Sequence, residues 1–132
     1  MRNRFTLLLA VLLLFVAIVL PVSETFAAVK NAGGNCFIGP TGKSVSYGGS
    51  TSSADDEDEI QVTVILYEKR SGKWYEIGRL SRTDYDTDYV SVSTTVTVTG
   101  GHYYKVTSTH YTRTGTTESN SSGSTGEYWI PA

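Results

Sequence analysis

Ile60, Val62, Val64 and Leu66 take every second position of the stretch IQVTVILYEKR, with Gln61, Thr63, Ile65 and Tyr67 between them. Alternate side chains of a strand point to opposite faces, so the first set makes a wholly apolar face and the second a half-apolar one. The β-branched residues of the first set pack well on a pleated surface. This is the pattern of a central strand with a neighbour on each edge. Ser71-Gly72 and the run KWYEIGRLSR after it predict a hairpin, with Trp74, Ile77 and Leu80 in the returning arm. The same period returns in VSVSTTVTVT, where Val90, Val92, Val96 and Val98 share one parity. Ser91, Ser93, Thr95, Thr97 and Thr99 take the other, as in a strand with one wet face.

The remaining segments are shorter. Cys36 to Ile38 reads as a first strand closed by a Gly39-Pro40 turn and Gly42. Lys43 to Ser53 follows, broken by Gly48-Gly49, which in a strand marks a bulge or a close backbone approach. Adjacent like charges repel, so the acidic run Asp55-Asp56-Glu57-Asp58-Glu59 is expected to be a loop, and Thr83 to Tyr89 a second one. Gly100-Gly101 turns the chain into HYYKVTSTHYTR. The serine- and glycine-rich stretch from Gly115 to Gly126 is expected to hold part of a last strand on a ragged edge, and EYWIPA closes the chain. No segment after residue 27 has helical period. About seven short strands separated by turn signals imply an all-β domain, a single antiparallel β-sandwich over residues 36–132.

The N-terminus has the form of an export signal. Arg2 and Arg4 precede an apolar run from Phe5 to Leu20, Pro21 ends it, and Thr25 and Ala27 stand where a signal peptidase reads. Residues 1–27 are therefore expected to be removed, leaving 28–35 as a flexible lead-in and placing the protein outside the cell. An uncleaved signal segment is the only membrane contact this pattern allows. Loss of Arg2, Arg4 and Glu24 leaves 9 basic against 12 acidic residues, a charge near −3. Nucleic-acid phosphates need a clustered basic face, so that balance argues against nucleic acid as a partner. With one cysteine, Cys36, an intramolecular disulfide is excluded; the alternatives are a small core residue or an intermolecular disulfide.

Two resemblances bear on this reading. The glycine turn followed by Tyr104-x-Val106 resembles the tyrosine corner of immunoglobulin and fibronectin type III domains. That resemblance implies a hydroxyl bonded to backbone a few residues upstream, and it puts Val106 where immunoglobulin domains carry a disulfide cysteine. The absent cysteine pair points to the fibronectin type. The chain as a whole resembles a family of short secreted proteins of Gram-positive, clostridial-type bacteria. The matching positions are Gly72 with Trp74, Val96 with Val98, Tyr103-Tyr104 with Val106, and His110-Tyr111. The resemblance implies export and the sandwich fold, and it adds no chemistry.

Candidate sites are few. Asp84, Asp86 and Asp88 have the alternate-carboxylate spacing that opens a calcium loop, although Tyr89 and Thr95 stand where an EF-hand needs glycine and glutamate. They are weak candidates, and no metal or other cofactor is expected. His102 and His110 share a face only if the strand between them is regular. No G-x-S-x-G or H-E-x-x-H motif is present, so an enzyme is not expected. Tyr67, Tyr75, Tyr103 and Tyr111 fall opposite the expected core or near hairpin ends, where flat rings stack on sugars or anchor a protein. The expected role is a secreted, non-enzymatic interaction module for an extracellular protein or glycan. The alternatives are a carbohydrate-binding module and a secreted antimicrobial or toxin.

Overall fold

A computed structural model describes residues 32–132, so the export signal and the first part of the lead-in lie outside the described residues. The described residues form six strands in one antiparallel sheet: β1 (Gly33–Thr41), β2 (Ser44–Arg70), β3 (Lys73–Thr97), β4 (His102–Thr114), β5 (Thr117–Ser124) and β6 (Tyr128–Ile130). The all-β class expected from the alternation is what the chain adopts. The segmentation is coarser, because two strands run for 27 and 25 residues.

β2 and β3 form one long hairpin about Ser71-Gly72. Both turn residues have positive φ, 49° and 78°, the geometry of a type I′ turn whose twist matches the flanking strands. β3 covers one edge of β2 along its length. The opposite edge is shared, with β1 on residues 44–52 and β4 on residues 59–68. β5 and β6 lie end to end on the far edge of β4.

A register shift between Ser52 and Glu57 bends β2, and the sheet curls until β1 comes over β4 and β5. The Ala32 amide accordingly donates to Ser119 Oγ, and Ser121 Oγ donates to the Ala32 carbonyl. The apolar parity read from the sequence becomes the inside of the curl: Ile60, Val62, Val64 and Leu66 from one half of β2 and Val45 and Tyr47 from the other are buried together with Val90, Val106 and Ile130. Gly48-Gly49 is a close approach, as expected. A side chain at Gly49 would press Val64 at 2.8 Å and the Asn35 carbonyl at 2.6 Å.

Three local expectations are corrected. Gly33 to Asn35, assigned to the lead-in, belong to β1, and Gly39-Pro40 continue it; proline is tolerated there because β1 is an edge strand. The turn is confined to Gly42-Lys43, with φ of +60° at Gly42. The acidic run is not a loop but part of β2, because its charges have partners that local sequence does not show. Arg113 bridges Glu59 at 3.3 Å and Asp58 at 3.9 Å, the Gly115 amide donates to Asp58, and Glu57 turns inward onto the Ser53 and Thr114 hydroxyls. Residues 83–89 likewise continue β3, with the backbone break confined to Asp86 at φ 54°. As expected, Trp74, Ile77 and Leu80 lie in the returning arm; a second register shift between Leu66 and Tyr67 leaves Ile77 unpaired and exposed, while Leu80 packs on the core.

Candidate recognition surfaces and the buried polar network

The outer face of the sheet near the β2–β3 turn gathers two tryptophans and two tyrosines. Trp129 on β6 pairs with Tyr103 on β4, their ring centroids 5.0 Å apart. The Glu68–Tyr104 register, extended by one residue, sets Lys69 beside Tyr103, and Lys69 pairs in turn with Trp74 on β3. One row across four strands is therefore Trp129, Tyr103, Lys69, Trp74. In the next row Lys105 lies beside Tyr67. Lys105 Nζ stands 4.4 Å from the Trp74 ring centroid and 5.9 Å from that of Tyr67, and Lys69 Nζ stands 5.4 Å from Trp74. These ammonium–ring contacts hold the rings in place while leaving area open to solvent. Trp129 and Tyr103 are exposed and Trp74 and Tyr67 half-buried. Both tryptophans of the chain lie in this strip.

Of the four tyrosines proposed from sequence, Tyr67 and Tyr103 are brought together here. Tyr111 shares the same face but lies six residues along β4 from Lys105, its hydroxyl donating to Glu118 at 3.0 Å. Tyr75 has the opposite parity and sits at the hairpin end under Arg70. Sequence reasoning missed Trp74, Trp129 and the two lysines. Only the register across four strands places them together.

Asp84, Asp86 and Asp88 do not converge. Asp84 is engaged by Arg82 at 3.2 Å, and no group of three or more histidine, cysteine, aspartate or glutamate side chains among the described residues is close enough to share a metal ion. Cys36 is a free thiol, half-buried inside the curl, with Sγ 3.8 Å from the Val106 carbonyl.

The interior holds two polar constellations. At one end, the Tyr104 hydroxyl reaches the Thr99 carbonyl five residues upstream, the contact that the tyrosine-corner resemblance implies. It also lies 2.8 Å from Glu68 Oε2, so one proton serves two acceptors. Burial acts to raise the Glu68 carboxyl, but hydrogen bonds from Arg70 and Tyr104 and the charges of Arg70 and His102 together bring it below its ordinary value. Burial first, then the adjacent carboxylate, pushes the Tyr104 phenol up. Tyr104→Phe removes the shared proton and leaves buried acceptors with one partner fewer. We expect a loss of about 1–3 kcal/mol in urea denaturation, the cost of orphaning a buried group rather than of one exchanged bond.

At the other end, His110 is fully buried with Nδ1 2.8 Å from Thr51 Oγ1 and Nε2 2.8 Å from Ser108 Oγ. Thr51 donates its own proton to the Gln61 carbonyl at 2.8 Å, so it accepts from Nδ1–H, and Nε2 accepts from Ser108. One neutral tautomer satisfies the whole chain. β4 is regular throughout, so His102 shares this face, but its Nδ1 is bound to the Lys69 carbonyl at 3.0 Å, far from His110. Ser108, His110 and Thr51 resemble a nucleophile with its base, yet none exceeds 2% exposure, and the geometry gives Ser108 no path to a substrate.

Burial holds the His110 imidazole below its ordinary 6.5, opposed only in part by the Ser50 carbonyl. As pH falls through 6.5 the unfolded chain therefore takes up a proton that the folded chain refuses. Stability should be fully present above that value and decline below it, before the Glu68 carboxyl begins its own loss below 4.5. Urea midpoints between pH 7 and 5 check this, and the slope in that window should flatten in His110→Asn.

No family model and no curated protein matches the chain. Among solved structures it is similar to Spo0M, a sporulation control protein from Bacillus subtilis, at 12% identity with a TM-score of 0.46. The likeness covers 77% of this chain and 50% of that one, so the chain spans about half the length of that protein.

Proposed function

We propose that the protein is exported, loses residues 1–27, and acts at or beyond the cell surface as a non-catalytic interaction module. In this reading the curled sheet is an immunoglobulin/fibronectin type III-like sandwich, its two layers joined by the bent strands β2 and β3. The tyrosine corner at Tyr104 supports that class. The family of short secreted Gram-positive proteins with the same motif order supports export.

The observation that carries the functional reading is the strip of Trp74, Tyr67, Tyr103 and Trp129 with Lys69 and Lys105 between the rings. Large rings fixed on a rigid sheet lose little conformational freedom on binding, and tryptophan and tyrosine dominate the energetics of recognition surfaces. An extracellular protein or an envelope glycan is the partner this surface fits.

Hydroxyl-radical footprinting of the mature protein incubated with intact cells tests the proposal. Protein retained on cells should be protected at Trp74, Trp129 and Tyr103, while Tyr85, exposed on the remote part of β3, oxidises as it does free in solution. No retention, or retention with the strip oxidised at its free rate, would overturn it.

A further inference from the structure

The other outer face of the sheet, formed by β1, the first half of β2 and the second half of β3, is of different chemistry. Its side chains are small and hydroxylic, with Ser46 Oγ 2.8 Å from Thr95 Oγ1, except for two exposed rings. Phe37 stands on β1 and Tyr89 on β3, with β2 between them, 47% and 53% exposed. Register fixes their offset: Phe37 pairs with Gly48 and through it with Ser93, four residues along β3 from Tyr89. Two strand spacings, roughly 10 Å, therefore separate the rings across the sheet, and four residues, roughly 13 Å, separate them along it. Between them runs an open groove of about 300 Å³, the lower end of the range for small-ligand sites.

We propose that this groove binds a neutral saccharide. Its floor and walls include Asn35, Phe37, Ser50, Tyr89, Ser91 and Ser93 and no charged residue. An anionic polymer would find no counter-charge there. A purely apolar ligand would strand the amide and hydroxyls, which at an open site prefer water. A sugar ring satisfies both halves. In an oligosaccharide the C–H faces of separate sugar units lie on the electron-rich faces of Phe37 and Tyr89, and the hydroxyls between them meet a polar pair already set. Ser50 Oγ donates to Asn35 Oδ1 at 3.0 Å. That bond spends the serine proton and directs the Asn35 amide hydrogens elsewhere. The pair thus offers one donor and one acceptor side by side, the complement of two adjacent hydroxyl groups, of which one accepts and one donates. Gly48, which stands between Phe37 and Ser93 in the register, has no room for a side chain, since one there would press the Val92 carbonyl at 2.3 Å and Ser93 at 2.8 Å.

This site is separate from the aromatic–lysine strip, and the two are distinguishable because both tryptophans belong to the strip. The experiment is isothermal titration of the mature protein with a panel of neutral gluco-, manno- and galacto-oligosaccharides and N-acetylglucosamine oligomers, with oligogalacturonate as the charged control. We expect saturable binding of at least one neutral oligosaccharide, weakened about tenfold or more by Tyr89→Ala and by Phe37→Ala, as for central aromatic contacts. Asn35→Ala should weaken it as well, Trp129→Ala should leave it unchanged, and tryptophan emission should not respond. Both ring substitutions are at exposed positions, so the variants fold. Absence of binding across the neutral panel, preference for oligogalacturonate, or binding that survives Tyr89→Ala and Phe37→Ala would overturn the proposal.

Discussion

Tyr47→Ala is expected to destabilise the protein by about 3–5 kcal/mol, the range for deleting a fully buried aromatic ring. Tyr47 starts from the first half of β2, and its hydroxyl ends where a side chain on Gly78 of β3 would stand, 2.4 Å from that point. The ring thus spans the inside of the curl, with Leu66 beside Gly78. Truncation opens a cavity between two stretches of sheet that cannot collapse independently, because β2 and β3 run through both. Tyr47→Phe is the control. The Tyr47 hydroxyl has no hydrogen-bond partner among the described residues, so its loss should cost far less than the loss of the Tyr104 hydroxyl. Urea denaturation of the three variants checks the order: Tyr47→Ala most destabilised, Tyr104→Phe next, Tyr47→Phe least.

A comparable loss, about 3–5 kcal/mol, is expected for His110→Ala. Two effects add: the cavity left by a fully buried imidazole and the orphaning of Ser108, whose hydroxyl donates to Nε2. Thr51 keeps its bond to the Gln61 carbonyl and limits the damage on that side. His110→Leu fills the cavity but not the polar pairing, so it should recover part of the loss and remove the acid sensitivity below pH 6.5.

The inside of the curl was legible in the sequence because it is written in period two. The parities of Ile60 to Leu66 and of Val90 to Val98 are those that the folded sheet buries or packs against its core. The Ser71-Gly72 turn and the Tyr104 contact were legible for the same reason: each depends on residues within a few positions of one another. The continuity of β2 was not. Five acidic residues in a row disfavour a strand locally, and the cation that pairs with Asp58 and Glu59 is Arg113, 54 positions from Glu59. Nor was the placement of His110 legible, since a histidine between Thr109 and Tyr111 carries no sign that Thr51 will meet it. The recognition surfaces fall between these cases. Parity put Tyr67, Tyr103 and Tyr111 on outer faces, but only the pairing of four strands brings Trp129, Tyr103, Lys69 and Trp74 into one row. The groove between Phe37 and Tyr89 likewise needs the registers of β1 and β3 on β2.

The inside that Tyr47 and His110 fill exists only if the sheet curls, and the contact of β1 with β4 is where that curl closes. A side chain at Gly34 of β1 would fall within 2.1–2.4 Å of the His110 ring. A double-mutant cycle on Gly34→Ala and His110→Ala measures this contact directly. The account predicts that Gly34→Ala costs about 1–3 kcal/mol in the native background, where it overpacks a filled interior. In the His110→Ala background the added methyl enters vacated space and should cost little or stabilise, giving a coupling of at least about 1 kcal/mol. Equal effects of Gly34→Ala in both backgrounds, a coupling near zero, would contradict the curl.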